Sequence, residues 1–207
     1  PTPKALAKAP LKRILSVWQG MGYNRRAIAL KKIAGKVMKE CNGIIPNNPI
    51  PLEKLPGIGK NTAGAILAFA FNKPSVFIET NIRRTYIHHF FPKYKNVSDK
   101  KLLPIIEETL NKENPREWYW ALMDYGAMLS KEIVNPNRKS RQYVRQKPFK
   151  GSNREARGLI LRTLLERGSL SQSVLGAHID RPELPKNLND LVCEGFLKKQ
   201  GNAYILV

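Results

Sequence analysis

The stretch Leu55-Pro56-Gly57-Ile58-Gly59-Lys60-Asn61-Thr62-Ala63 joins two helical segments through two glycines set one residue apart. Glycine adopts backbone angles that a Cβ forbids, so Gly57 and Gly59 permit a tight hairpin. They also leave no side chain between the backbone N–H groups and whatever approaches them. The helix that follows presents its positive N-terminus at the same place, an arrangement suited to a phosphate. Lys60 adds a full charge, and Thr62 lies in the same turn. The plain alternative is an ordinary αα-hairpin with no ligand. Beyond it, the spacing predicts a helix over 61–71, with Ala63, Ile66, Leu67, Ala70 and Phe71 on one face. The small residues Gly64, Ala65 and Ala68 allow that helix to pack closely.

Helical periodicity continues on both sides of the hairpin. Upstream, the pattern predicts one helix over about 4–18, a glycine-punctuated turn at Gly20-Met21-Gly22-Tyr23, and a helix over 24–41. Pro46, Pro49 and Pro51 mark a loop, and a short helix then leads to Leu55. Downstream, helices are expected from Thr80 to about Phe91, over 99–111 and over 115–130. The composition changes at Asn135-Pro136-Asn137, and residues 135–152 read as a basic, apolar-poor linker. Three short helices follow, over 154–167, 171–178 and 184–195. Residues 196–207 read as a β-hairpin turning on Gly201-Asn202. The expected fold class is all-α. It divides into a helical domain over 1–134, the linker 135–152, and a small winged-helix-like domain over 153–207.

Charge narrows the choice of partners. The 207 residues carry 36 Lys and Arg against 16 Asp and Glu, a net charge of +20, and this field attracts phosphate backbones. No long apolar span accompanies it, which argues against a membrane. The two cysteines, Cys41 and Cys193, match no metal spacing. Pro1-Thr2-Pro3-Lys4 opens the chain without an apolar segment. A reduced cytoplasmic protein is expected, monomeric and associated with the nucleoid.

A second motif follows the hairpin: Phe77-Ile78-Glu79-Thr80-Asn81-Ile82-Arg83-Arg84. Here an acid stands in a short connection between two apolar helices. One reading makes Glu79 an ordinary N-terminal acid favoured by the next helix's dipole. The other gives it chemistry. Removing a base from a nucleotide leaves positive charge on the sugar, which a nearby carboxylate stabilises, and it requires an activated water.

Together, Trp18–Tyr23, Leu55–Leu67, Glu79–Arg83 and Leu122-Met123-Asp124-Tyr125-Gly126-Ala127-Met128 resemble the helix-hairpin-helix (HhH-GPD) DNA glycosylases, and among them the MutY-type adenine glycosylases. The resemblance covers residues 1 to about 130. It implies base flipping in double-stranded DNA and hydrolysis of the N-glycosidic bond of a mispaired base, adenine opposite guanine or 8-oxoguanine. By position, Glu79 takes the place of the family's catalytic aspartate, and Asn81 that of its supporting asparagine. Tyr23 matches the aromatic that wedges into the base stack, against the alternative of a core tyrosine. Gly57, Gly59, Lys60 and Thr62 fall in the phosphate-binding hairpin, where a monovalent cation is also expected to fit. Arg25, Arg26 and Arg83 are the further DNA-contacting candidates. Asn61 stands where strand-cleaving relatives carry a lysine, so no Schiff base forms and the implied enzyme is monofunctional.

Four departures from the family pattern accompany these matches. Glu replaces Asp at position 79, adding a methylene. Ser130, Asn137 and Ser140 stand near the family's iron–sulfur cysteines, so no cluster and no other cofactor is expected. A winged-helix-like unit stands in place of the domain that senses oxidised guanine. The family's segment with the glutamate that protonates the leaving base has no counterpart here, so a chain lacking its front is expected. Two alternatives remain open from the residues: a thymine or uracil mismatch glycosylase, and a non-catalytic DNA-binding module. His88-His89 is not expected to bind a metal, since adjacent helical residues point about 100° apart.

Overall fold

The computed structural model describes residues 2–146 and 148–207; Pro1 and Lys147, which falls in the stretch read as a linker, lie outside the described residues. In chain order the helices are α1 (Pro3–Lys8), α2 (Leu11–Val17), α3 (Arg25–Glu40), α4 (Pro49–Glu53), α5 (Lys60–Phe71), α6 (Thr80–Phe90), α7 (Asp99–Thr109) and α8 (Pro115–Glu132). A 3₁₀ turn covers Pro136–Lys139. Then come α9 (Asn153–Arg167), strand β1 (Leu170–Ser171), α10 (Gln172–His178), α11 (Leu184–Cys193), and strands β2 (Leu197–Gln200) and β3 (Ala203–Leu206). The all-helical class holds, with one small antiparallel sheet in the order β1-β3-β2.

The single helix expected over 4–18 is two. Pro10 has no N–H to donate and its ring drives Ala9 into an extended conformation, ψ 134°, so the first helix stops at Lys8. Strand β1 is likewise absent from the sequence reading. Two residues carry no period, and Leu170 finds its place only opposite Tyr204. The expected hairpin on Gly201-Asn202 is present, with Leu197 paired to Leu206 and Gln200 to Ala203.

The chain forms two compact units, and their boundaries differ from the division read in the sequence. One unit holds residues 1–45 together with 146–207; the other holds residues 46–145. The reason is the apolar faces of α2 and α3. Leu11, Ile14, Leu15 and Ala27 share one core with Ile160, Leu164, Leu188, Phe196 and Tyr204 of the winged-helix-like segment. The stretch 135–152 is also no uniform linker. Its first part is built into the second unit: Val97 N–H donates to Lys139 O at 2.8 Å, Arg141 N–H donates to Val97 O at 2.9 Å, and Asn137 and Ser140 are buried.

The second unit, residues 46–145, has a core of Phe77, Ile78, Ile82, Tyr86, Ile87, Leu102, Ile106 and Tyr119. Phe77 and Tyr119 lie with ring centroids 4.2 Å apart. Helices α6 and α8 come together at Gly126, where a Cβ would stand 2.3 Å from Asn81 O and 2.7 Å from its carbonyl carbon. That glycine sets how deeply α8 seats against the start of α6.

Candidate active site

The hairpin takes the expected form. Gly57 has φ +76°, a left-handed conformation that strains any residue with a Cβ. Ile58 N–H closes on Leu55 O at 3.1 Å. Gly59 is the N-cap of α5, and no side chain caps the helix. The first N–H groups of α5 therefore lack an intrahelical partner. A Cβ built on Gly59 meets nothing within 4 Å, so the space in front of the hairpin is open. Lys60 and Thr62 are exposed beside it.

Beyond α5, an extended segment over residues 73–78 leads to Glu79. The Asn61 side-chain oxygen accepts from Ile78 N–H at 3.2 Å, tying the first turn of α5 to the residue before Glu79. Tyr119 Oη donates to Ser75 O at 2.7 Å. Gly64 permits the closest approach, since a Cβ there would lie 2.8 Å from Phe77 Cβ. The backbone leading to Glu79 is thus held on three sides by residues of one unit.

Glu79 is half-buried and is the N-cap of α6. Its Oε1 accepts from Asn81 N–H at 2.6 Å and from Ile82 N–H at 2.7 Å. The modest reading of this residue, a helix-capping acid, is therefore realised. Oε2 has no hydrogen-bond partner among the described residues. One oxygen fixes the carboxylate to the start of α6.

Beneath it lies a network that the sequence reading missed. Arg84 is buried, 7% exposed. Its guanidinium donates to Asn81 Oδ1 at 2.6 Å, to Asn135 Oδ1 at 3.1 Å and to Gly126 O. Asn137 Nδ2 donates to Thr80 O at 2.9 Å, and its N–H donates to Asn135 Oδ1 at 3.1 Å. Burial pushes the Arg84 guanidinium below its usual pKa, and the Glu79 carboxylate opposes that shift. Arg84 is flanked by the buried Thr85, Tyr86 and Ile87, so no polar face announces it. Asn135 and Asn137 were hidden by the polar composition around them.

Other candidates are placed differently from expectation. Arg83 donates through Nε and Nη2 to both oxygens of Asp99, each at 2.8 Å, and both side chains are largely covered. Arg83 is thus engaged within the protein. In the other unit, Arg25 donates to Glu194 at 3.0 and 2.5 Å, so it too is engaged within the protein. Arg26 lies over the Trp18 ring, 6.0 Å from its centroid. Tyr23 is 59% exposed, which rules out a core tyrosine. It stands in a turn where Gly20, Gly22 and Tyr23 all have positive φ, closed by Trp18 Nε1–H donating to Gly22 O at 2.9 Å.

The positions near the family's cluster ligands do not fit an iron–sulfur cluster. Ser130 Oγ donates to Ala127 O, Asn137 donates to Thr80 O, and Ser140 Oγ bonds to Gln142. None can supply a thiolate, and Cys41 and Cys193 belong to the other unit. Among the described residues no group of three or more His, Cys, Asp or Glu is placed to hold a metal, and no helix is long and apolar enough to cross a membrane.

Comparison with known proteins agrees with the geometry. The pattern of the HhH-GPD superfamily base excision DNA repair proteins matches residues 1–112. The adenine DNA glycosylase of Buchnera aphidicola subsp. Baizongia pistaciae (strain Bp) is 39% identical over 130 residues, 62% of this chain and 37% of that protein. The adenine DNA glycosylase of Homo sapiens is 30% identical over 178 residues, 84% of this chain and 31% of that protein. The chain thus spans about a third of the length of these relatives. Among solved structures, a thermostable thymine-DNA glycosylase is similar in fold, with a TM-score of 0.54 and 24% identity, covering 67% of this chain and 65% of that one.

Proposed function

Because this chain belongs to the HhH-GPD superfamily of base excision DNA repair proteins, we propose that it is a monofunctional DNA glycosylase acting on a mispaired base in duplex DNA, adenine opposite guanine or 8-oxoguanine. The adenine DNA glycosylases among its relatives favour that base. The observation that carries the reading is the position of Glu79. It lies one residue beyond the Ile78 N–H that Asn61, in the first turn of the hairpin's second helix, holds at 3.2 Å.

The hairpin's free N–H groups receive a backbone phosphate, assisted by Lys60, and a monovalent cation would be held by the hairpin's carbonyl oxygens. With the target nucleotide flipped out, the free oxygen of Glu79 faces the sugar and its water. As the bond from C1′ to the base lengthens, its electron pair leaves with the base, and the carboxylate stabilises the charge left on the ring. Water then bonds to C1′ and gives up a proton, and the departed base takes one up. Asn61 presents an amide where a Schiff base would need an amine, so the DNA strand is not cut. Tyr23 occupies or pries the gap in the base stack. The protein works as a monomer in the cytoplasm, on nucleoid DNA.

The test is incubation with labelled duplexes carrying A·8-oxoguanine, A·G, T·G or U·G, followed by alkali to cleave abasic sites. Scission of the A-containing strands that disappears in Glu79→Gln is the expected result. Release of thymine or uracil alone would move the reading to another base, and duplex binding without any release would remove the enzyme.

A further inference from the structure

We propose that the unit formed by residues 1–45 and 146–207 holds a phosphodiester-binding site of its own, in the groove between α2 and α9 lined by Lys12, Arg13, Gln19 and Arg162. The inference rests on duplex DNA being the partner, and adds a second place where the chain grips it.

Charge distribution is the first observation. This unit carries 20 Lys and Arg against 7 acids, whereas the hairpin unit carries 16 against 9. Most of the net positive charge therefore belongs to the unit that does not contain the hairpin. Residues 1–45 alone hold ten basic residues against the single acid Glu40. A field of this size attracts a polyanion, and its position says where.

The second observation removes the obvious surface. In a winged-helix arrangement the third helix, here α11, would enter the major groove. Lys186 is the only cation on α11, which also carries Asp190 and is bounded by Glu183 and Glu194. Glu194 draws Arg25 and Arg157 onto itself, at 2.5 and 2.6 Å. Those two arginines are spent on the protein's own carboxylate, and the helix presents acid where a base-reading surface needs cations.

The third observation supplies the alternative. The groove between α2 and α9 has a volume of about 630 Å³. Lys12, Arg13 and Arg162 are exposed along it, with the polar Ser16 and Gln19. The three cations make no ion pair or side-chain hydrogen bond among the described residues, and Glu166 is the one acid on the lining. Unpaired cations in a groove, with hydrogen-bonding side chains between them, suit successive phosphates of a nucleic-acid strand and carry no base sequence.

The experiment measures affinity of the full chain for a labelled 20-base-pair duplex across a series of salt concentrations. The triple variant Lys12→Gln, Arg13→Gln, Arg162→Gln is compared with Lys95→Gln, Lys100→Gln, Lys112→Gln, which removes the same charge from exposed positions of the other unit. The groove triple should lower the slope of log affinity against log salt by about 2 to 3, at roughly 0.9 per lost phosphate contact, and weaken binding by about tenfold. The matched triple should leave the slope nearly unchanged. Glu166→Gln should tighten binding more than Glu107→Gln does, a gain that no misfolded variant produces. Equal behaviour of the two triples, in a wild type that binds well, overturns the groove and leaves the glycosylase reading standing. A wild type that binds no duplex overturns both.

Discussion

Arg84 donates to the side-chain oxygen of Asn81 at 2.6 Å from beneath the N-terminus of α6, while Asn81 donates its backbone N–H to Glu79 Oε1 at the same distance. The buried guanidinium thus reaches the candidate carboxylate through one intervening residue. It also holds Gly126 O and Asn135 Oδ1, so a single side chain fastens α6, α8 and the segment after α8. Replacing Arg84 by Met would leave Asn81 Oδ1 without its donor and take one donor each from Gly126 O and from Asn135 Oδ1, which keeps the Asn137 N–H. An acceptor left unpaired costs on the order of 1–3 kcal/mol, and with the two weakened acceptors about 3 kcal/mol is the expected total in urea unfolding. Arg84→Lys should recover part of the stability but not the forked geometry. Base release per folded molecule should stay well below wild type in the lysine variant; a normal rate there would mean Asn81 needs no tether.

Gly126 and Gly158 make opposite predictions for the same substitution. A Cβ at Gly126 would fall 2.3 Å from Asn81 O and 2.8 Å from Asn81 Cβ, against backbone that cannot step aside. Gly126→Ala should destabilise by about 1–3 kcal/mol and displace the start of α6, reducing base release more than lost stability explains. Gly158 lies inside α9 with nothing within 4 Å of its would-be Cβ. Gly158→Ala should stabilise by about 0.5–1 kcal/mol, because alanine loses less freedom in a helix. Thermal unfolding of both variants decides, and similar shifts would contradict the close approach of α8 to Asn81.

The two hairpin glycines separate stability from binding. Gly57 has φ +76°, so Gly57→Ala strains the turn by about 1–2 kcal/mol and should lower both stability and duplex affinity. Gly59 has φ −99° and open space around its would-be Cβ. Gly59→Ala should leave unfolding nearly unchanged and weaken duplex binding by blocking the phosphate's approach to the first N–H groups of α5. Binding and unfolding measured on the same samples test this. Undiminished affinity in Gly59→Ala would mean the phosphate lies elsewhere.

These sites were legible to different degrees for physical reasons. The hairpin and the acid after it were readable because glycine spacing and a lone carboxylate are local signals. Most helix bounds after residue 20 were readable too, since these helices have a period and a breaker, as at Asn72 and Phe91-Pro92; those of α4 were not, because it starts on Pro49 and Pro51, residues that read as a loop. The break at Pro10 was available in the sequence but was outweighed by continuous apolar spacing across it. The Arg84 network was not readable. Arg84 and Arg83 are neighbours of one type, yet one lies buried under Glu79 and the other is paired with Asp99, and only tertiary packing distinguishes them. The division into units was hidden likewise, because Leu11, Leu15 and Ala27 meet Ile160 and Leu188 across more than a hundred residues of intervening chain.

The last prediction concerns acid. Glu194 is held below the usual carboxylate range, first by its hydrogen bond from Arg25 and then by Arg157, against the opposing effect of burial. A carboxyl lowered on folding binds fewer protons folded than unfolded. Its contribution is therefore complete above its unfolded value, near 4.5, and fades as the pH falls through the lower folded value. Glu194→Gln should cost about 1–2 kcal/mol at pH 7, where it leaves Arg157 partly buried without its counter-charge. The gap between wild type and variant should narrow steadily below about pH 4.5, so the variant shows the flatter acid limb. Urea unfolding from pH 7 down to pH 3 measures the gap directly. If it stays constant throughout, the carboxyl titrates alike in both states, and the Arg25 and Arg157 pairs add nothing to the stability of this unit.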